Sequence, residues 1–237
     1  DVDGFDAQHK TGILASLAHG FWVKPSQIFV EGIRHITPLD IQFARRLGYC
    51  IKLLGIVKKL GGKVQIAVHP ALVPETHVLA NVSDVFNAIL VRGDIVGDTL
   101  HYGQGAGADA TASAVLSDLA DAALDLKNGS IGRVPPFVPH EQNGTVQSMD
   151  KAVSPFYLRL SVVDRPGTLA RIAAVLGEAK IGICSVIQPE GHVGESVPLI
   201  MMLHDAPDAA MRQAIKKITR LSAVKAKPTM IRVETFD

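Results

Sequence analysis

Net charge is almost missing from this 237-residue chain, and a formal +1 leaves no concentrated basic face. Neither nucleic acid nor a membrane surface is therefore expected as a partner. Cysteine is nearly missing too. Cys50 and Cys184 lie far apart, each in an apolar run, which predicts buried free thiols in a reducing, cytoplasmic setting rather than a disulfide. No apolar run reaches the length of a membrane span. The nine histidines form no H-x-x-H or H-E-x-x-H pattern, so no metal site is predicted. A G-x-S-x-G elbow and a Walker loop are also lacking. What the chain does have is apolar residues, 47% of the total, enough for a substantial core. Its length falls between one large domain and two modest ones.

Residues 129–155, GSIGRVPPFVPHEQNGTVQSMDKAVSP, lose apolar periodicity and read as a linker between two folded regions. The first region, 1–128, predicts a mixed sheet with helices. Ile13, Leu14, Leu17 and Ala18 recur at helical spacing over 6–19, with Gly20 as the stop. Residues 28–36 read as a strand interrupted at Gly32. From Thr37, a capping residue followed by Pro38, a helix is predicted to run until Gly61-Gly62, with Gly48 and Gly55 allowing close packing. Strands follow in VQIAVHPALV, HVLANV, FNAILVRG and DIVGDTLHYG, the last two joined as a hairpin through Arg92-Gly93-Asp94. Thr111 then caps a helix with an apolar stripe of Val115, Leu116, Leu119, Ala123 and Leu126, ended by Gly129. The second region, 156–237, reads strand, helix, strand, strand, helix, strand. This is a ferredoxin-like βαββαβ arrangement with helices on one face, which makes the whole chain α/β of the α+β kind.

Three stretches can carry chemistry. Asp6 and Lys10 share a helix face, with Asp1 and Asp3 just before the helix. The pair is either a surface ion pair or a lysine held ready to exchange a proton with a substrate oxygen. Gly103, Gly105 and Gly107 alternate between a strand and a helix. They form either a packing turn or a loop that lets a ligand approach backbone and helix N–H groups. The full G-x-G-x-x-G fingerprint is not met, because Ala108 stands where it needs glycine. DRPGTLARIAAVL, 164–176, ends a strand in a tight turn and opens a helix whose N–H groups suit a carboxylate.

The segments DVDGFDAQHKTGILA, EGIRHITPLDIQFARRLGYCIKLLG and ANVSDVFNAILVRGDIVGDTLHYGQGAGADATASAVLSDL, in that order, resemble the substrate-binding and catalytic region of homoserine dehydrogenases. Residues 157–236 resemble an ACT domain, an amino-acid-sensing module. The resemblance implies NAD(P)-dependent interconversion of aspartate semialdehyde and homoserine, on the route to threonine, isoleucine and methionine. It makes Lys10 the proton-exchanging lysine, Asp6 its neighbouring carboxylate and Asp1 a further acid of the substrate pocket. Gly103, Gly105 and Gly107 become the loop near the nicotinamide of NADP or NAD, with the nucleotide-binding domain lying upstream of a chain that starts inside the active-site segment. The fragment alone is then expected to be inactive. Asp164, Gly167 and Ile183 are expected to line a site for an amino-acid effector, threonine by resemblance, in a homodimer or homotetramer. Val78 and Ala110 depart from the family pattern, where proline is usual. The alternative is an amino-acid sensor in which 1–127 is only a dimerising scaffold.

Overall fold

The computed structural model describes residues 1–130, 144–189 and 194–236. The chain divides into two compact units, one formed by Asp1–Pro74 with Pro139–Asp237 and the other by Glu75–Val138.

In the first unit, helix α1 (Phe5–His19) is followed by the short strand β1 (Phe29–Val30) and helix α2 (Pro38–Arg46). Helix α2 opens on a reciprocal cap: the Asp40 carboxylate accepts from the Thr37 N–H and hydroxyl at 2.9 and 2.6 Å. The long helix predicted from Thr37 to Gly61 ends at Arg46. Gly48 sits at φ 82, a left-handed conformation that stops the helix, and the rest is strand β2 (Tyr49–Leu60). Gly61-Gly62 is the tight turn that pairs β2 with β3 (Lys63–Pro74) over their whole length, Leu60 opposite Lys63 and Tyr49 opposite Pro74. A Gly-Gly between two apolar runs is a hairpin signal, and it outweighs helical spacing here.

Strand β3 is the axis of this unit. Its one edge takes β2; its other edge takes three short strands in succession, all parallel to it. Val64 pairs with β6 (Thr145–Gln147), Ala67 and Val68 with β1, and Ala71 and Leu72 with β10 (Thr229–Val233). Between Val64 and Val73 every residue of β3 is buried, which explains its nearly unbroken apolar run. Beyond β10 the sheet continues through β7 (Val153–Val163), β9 (Ser196–Pro207) and β8 (Ile183–Ile187), all antiparallel. Helices α4 (Thr168–Glu178) and α5 (Asp208–Thr219) cover these four strands, closing a core of Phe156, Leu158, Leu160, Ile172, Leu176, Leu199, Met201 and Ile218. The order of elements expected for 156–237 is present, and its sheet is continuous with that of residues 29–74. Within the segment read as a linker, β6 and a 3-10 turn at Met149–Lys151 are ordered parts of this unit; 131–143 lies outside the described residues.

The second unit holds strands β4 (Phe86–Gly93) and β5 (Gly97–Gln104), paired antiparallel as expected, then α3 (Ala108–Asn128). The turn falls at 94–96 and not at Arg92-Gly93-Asp94, because Arg92 and Gly93 still pair with Asp98 and Gly97. HVLANV is a 3-10 turn, Val78–Asn81, in place of the expected strand, because the His77 side chain accepts from the Leu79 N–H and folds the backbone back. Phe86 stacks on Tyr102 at 4.9 Å, and Arg92 makes a two-point ion pair with Asp98 at 2.6 and 2.9 Å. No residue of α3 is buried, and its expected core stripe of Val115, Leu116, Leu119 and Leu126 is 53–70% exposed.

Candidate active site

Helix α1 begins at Gly4, whose φ of 83 admits glycine with least strain and whose N–H closes a turn on the Asp1 carbonyl at 2.9 Å. The face expected to be buried is not the one that is. Ile13, Leu14 and Leu17 are each more than 40% exposed, while Thr11, Gly12, Ala15 and Ser16 are buried. Small residues win because the helix lies close on the sheet: a side chain on Gly55 of β2 would collide with the Thr11 hydroxyl, and one on Gly12 would meet Ile28 at 2.9 Å. Ser16 completes the seat, donating to the Gly12 carbonyl at 2.8 Å and accepting from the Val23 N–H at 3.0 Å.

The opposite face carries Asp6 and Lys10. Lys10 Nζ donates to Asp6 Oδ2 at 2.8 Å, and both side chains are more than half exposed. That hydrogen bond holds the Asp6 carboxyl below its ordinary value, against a small opposing effect of burial. Asp1 is exposed two residues before the Arg34-bound Asp3. Arg34 grips Asp3 at two points, Nε to Oδ1 at 2.6 Å and Nη2 to Oδ2 at 2.8 Å, which lowers the Asp3 carboxyl in the same way. Arg34 carries no sequence signal beyond its place in EGIRHI, so only the structure reveals this pairing.

Elsewhere in the first unit lie two buried ionic groups. Asp40, fully buried, receives Arg159 Nε and Nη2 at 2.6 and 3.0 Å and the Tyr157 hydroxyl at 3.2 Å. Burial alone would raise its pKa, but Arg159 and the Thr37 cap outweigh burial and hold it lowered; burial and the nearby Asp40 charge push the Tyr157 hydroxyl up. Arg232, 2% exposed, reaches Asp208 at 2.6 Å and Glu31 at 2.8 Å and lies 4.9 Å over the Phe29 ring. Beside it, His69 is buried and pushed down to about 3, first by burial and then by the Arg232 charge.

The three glycines of 103–107 lie in the second unit and differ in kind. Gly105 is needed for packing, since a side chain there would run into Asn87. Gly107 is needed for its φ of 119, and caps α3. The expected cap, Thr111, instead sits inside the helix, its hydroxyl donating to the Gly107 carbonyl at 2.9 Å. Gly103 is constrained by neither, with nothing within 4 Å of where a Cβ would sit.

At the end of β7, a hollow of about 410 Å³ is lined by Val162–Leu169, Gln188 and Leu199. Asp164 and Gly167 line it, with Gln188 donating to Asp164 at 3.0 Å and Gly167 capping α4 at φ 83. Ile183 lies elsewhere, opposite Leu203 at the start of β8 and packed on the core. Neither cysteine is in a disulfide, and neither is buried as expected: Cys50 is half-buried, and Cys184 lies with Ser185 and Val186 on the exposed stretch of the edge strand β8.

Residues 1–120 match the family model described as homoserine dehydrogenase. The chain belongs to the homoserine dehydrogenase family. It is 40% identical to a homoserine dehydrogenase of Neisseria gonorrhoeae and 38% identical to one of Pseudomonas aeruginosa, over its full length and 55–56% of theirs. Among solved structures, a homoserine dehydrogenase from Thiobacillus denitrificans superposes with a TM-score of 0.90 at 38% identity, covering all of this chain and 54% of that one. One from S. aureus gives 0.69 at 30% identity, covering 99% and 54%. The chain thus spans about half the length of the homoserine dehydrogenases it matches. Its mixed sheet and five described helices follow the fold of that family. Among the described residues, no three His, Cys, Asp or Glu side chains are grouped to hold a metal ion, and no helix is long and apolar enough to cross a membrane.

Proposed function

We propose that the full-length polypeptide containing this chain is an NAD(P)-dependent homoserine dehydrogenase, interconverting aspartate semialdehyde and homoserine. The observation that carries this reading is the family match over 1–120 together with the Lys10–Asp6 pair on the outward face of α1. The hydride belongs to the nicotinamide cofactor, so the chain itself must position substrate and move a proton. Lys10 gives or takes that proton at the substrate oxygen, Asp6 holds the ammonium in place, and Asp1 contributes a further acidic contact. The residues of 103–107 suit a nicotinamide nucleotide: Gly103 leaves the backbone open, and the first N–H groups of α3 carry no side-chain cap. The rest of the nucleotide is held by an upstream domain, and this chain alone does not turn over. The uncovered apolar row of α3 fits a surface covered in the longer polypeptide.

Residues 156–237 act as an ACT domain. The β10-β7-β9-β8 order of a βαββαβ unit and the hollow at Asp164 and Gly167 support an amino-acid effector there, threonine as the pathway end product. The enzyme is a homodimer or homotetramer. An effector would act by binding two states with different affinity.

Homoserine-dependent reduction of NADP and NAD by the full-length protein tests the reading. Strong activity that disappears in Lys10→Ala supports it, and no activity in the folded wild type removes it. A bulkier residue at Gly167 should blunt threonine inhibition while leaving turnover; equal inhibition refutes the effector site. Activity absent but threonine bound would favour the sensor reading.

A further inference from the structure

The buried face of α1 starts only at Thr11, so the first turns of the helix, Phe5–Lys10, include no buried residue. Those turns bear Asp6 and Lys10. In these turns only Ala7 packs on the edge of the core, and Gln8 Nε2 donates to the Pro25 carbonyl at 2.8 Å; the start of the helix depends in addition on whatever holds the preceding turn. Three contacts hold it. Gly4 is buried, and a side chain there would press on Val30 and Val68 at 3.2 and 3.3 Å. Ile33 N–H donates to the Val2 carbonyl at 2.8 Å, and Gly32 lies so close that a Cβ would be 2.7 Å from Asp3 Cα. Arg34 then closes on Asp3 from the same loop with two parallel bonds.

That loop is itself fixed to the interior. Glu31 is paired with the buried Arg232, and Thr37 at its far end is locked to Asp40 and through it to Arg159. An isolated exposed ion pair contributes little. Here one partner stands on a loop anchored at both ends, and the other stands next to the capping glycine of the helix. We propose that Arg34 is a positioning residue that, through Asp3, holds the first turns of α1 so that Asp6 and Lys10 meet the substrate oxygen in one geometry. This rests on the dehydrogenase reading for its consequence in turnover, and on geometry alone for the clamp.

The test uses the full-length protein with Arg34→Ala, Asp3→Asn and Arg34→Lys. Misplacing a reacting group by about 1 Å costs up to about 100-fold in rate, so Arg34→Ala should lower kcat by at least about 10-fold with KM changed less than about 2-fold. Asp3→Asn should do the same. Arg34→Lys keeps the charge without the two-point grip and should recover part of the loss. Hydrogen exchange of the amides of Gln8–Lys10 is the second measurement. Local opening sets that exchange, which should speed by about 10-fold in Arg34→Ala and less in Arg34→Lys. Unchanged exchange overturns the clamp even if the wild type proves inactive, in which case the enzyme reading falls separately. A change confined to KM, or an unchanged kcat in Arg34→Ala, overturns the positioning role.

Discussion

Strand β3 and helix α3 each carry an apolar row along their length, yet one is buried and the other is bare. Between Val64 and Val73 every residue of β3 is buried, because four strands pair with it and helices pack on it. Leu116 and Leu126 of α3 are 66% and 70% exposed. Periodicity reports which face of an element is apolar, but a face is buried only where something covers it. The two units thus differ in what holds them. The first has buried ion pairs and several packed hydrophobic clusters along one continuous sheet. The second has a two-strand ribbon tied by a ring stack and a surface ion pair, and such ribbons are marginal alone.

This contrast can be broken by mutation. Asp40→Ala should have the largest effect, about 3–5 kcal/mol in a urea titration, because it strands Arg159 beside Tyr157. A loss under 1 kcal/mol would mean that Arg159 is already solvated. Leu158→Ala, in the core between β7 and its helices, should cost about 2–5 kcal/mol in the same titration. Acidification should come next. His69 is buried and neutral, so between about pH 6.5 and about pH 3 the unfolded chain binds a proton that the folded one refuses. Stability should then fall as pH falls through that window, by at most about 1.4 kcal/mol per pH unit, and His69→Gln should flatten the slope. Asp40 adds a loss of the same sign at lower pH, as its lowered carboxyl is protonated. Smallest of all should be Leu119→Ala on α3, within about 0.5 kcal/mol in the 237-residue chain. A cost of 2 kcal/mol or more, on the scale of about 2–5 for buried leucines, would show that this row is covered.

Much of the fold was legible along the chain. Short, patterned elements such as β7, α4 and α5 appear where alternation and 3.6-residue spacing put them. So do the stop of α1 at Gly20 and the pairing of β4 with β5, whose turn lies at 94–96, just past the Arg92-Gly93-Asp94 signal. Two errors share a cause. In YCIKLLGIVKKL, apolar residues fit helical spacing and a strand about equally, and the deciding signal was the Gly-Gly beyond them. On α1, apolar spacing marked Ile13, Leu14 and Leu17, but the helix lies on Gly55, where only small residues allow contact. Within the candidate site, the Asp6–Lys10 pairing was readable because four residues make one helical turn. Arg34–Asp3 spans 31 residues and Asp40–Arg159 spans 119, and no local pattern joins partners so far apart.

Local chemistry was therefore written in the order of residues: the capping glycines, the hairpins, the charged pair one turn apart and the βαββαβ succession. Folding in three dimensions settled the rest. It merged β10 with β3 into one sheet across the stretch that looked like a linker, chose the small-residue face of α1 for burial, and set Arg34 and Arg159 against their carboxylates. The reason is that backbone preference and periodicity act over a few residues, whereas pairing of distant strands and ions depends on which surfaces fit when the whole chain is compact.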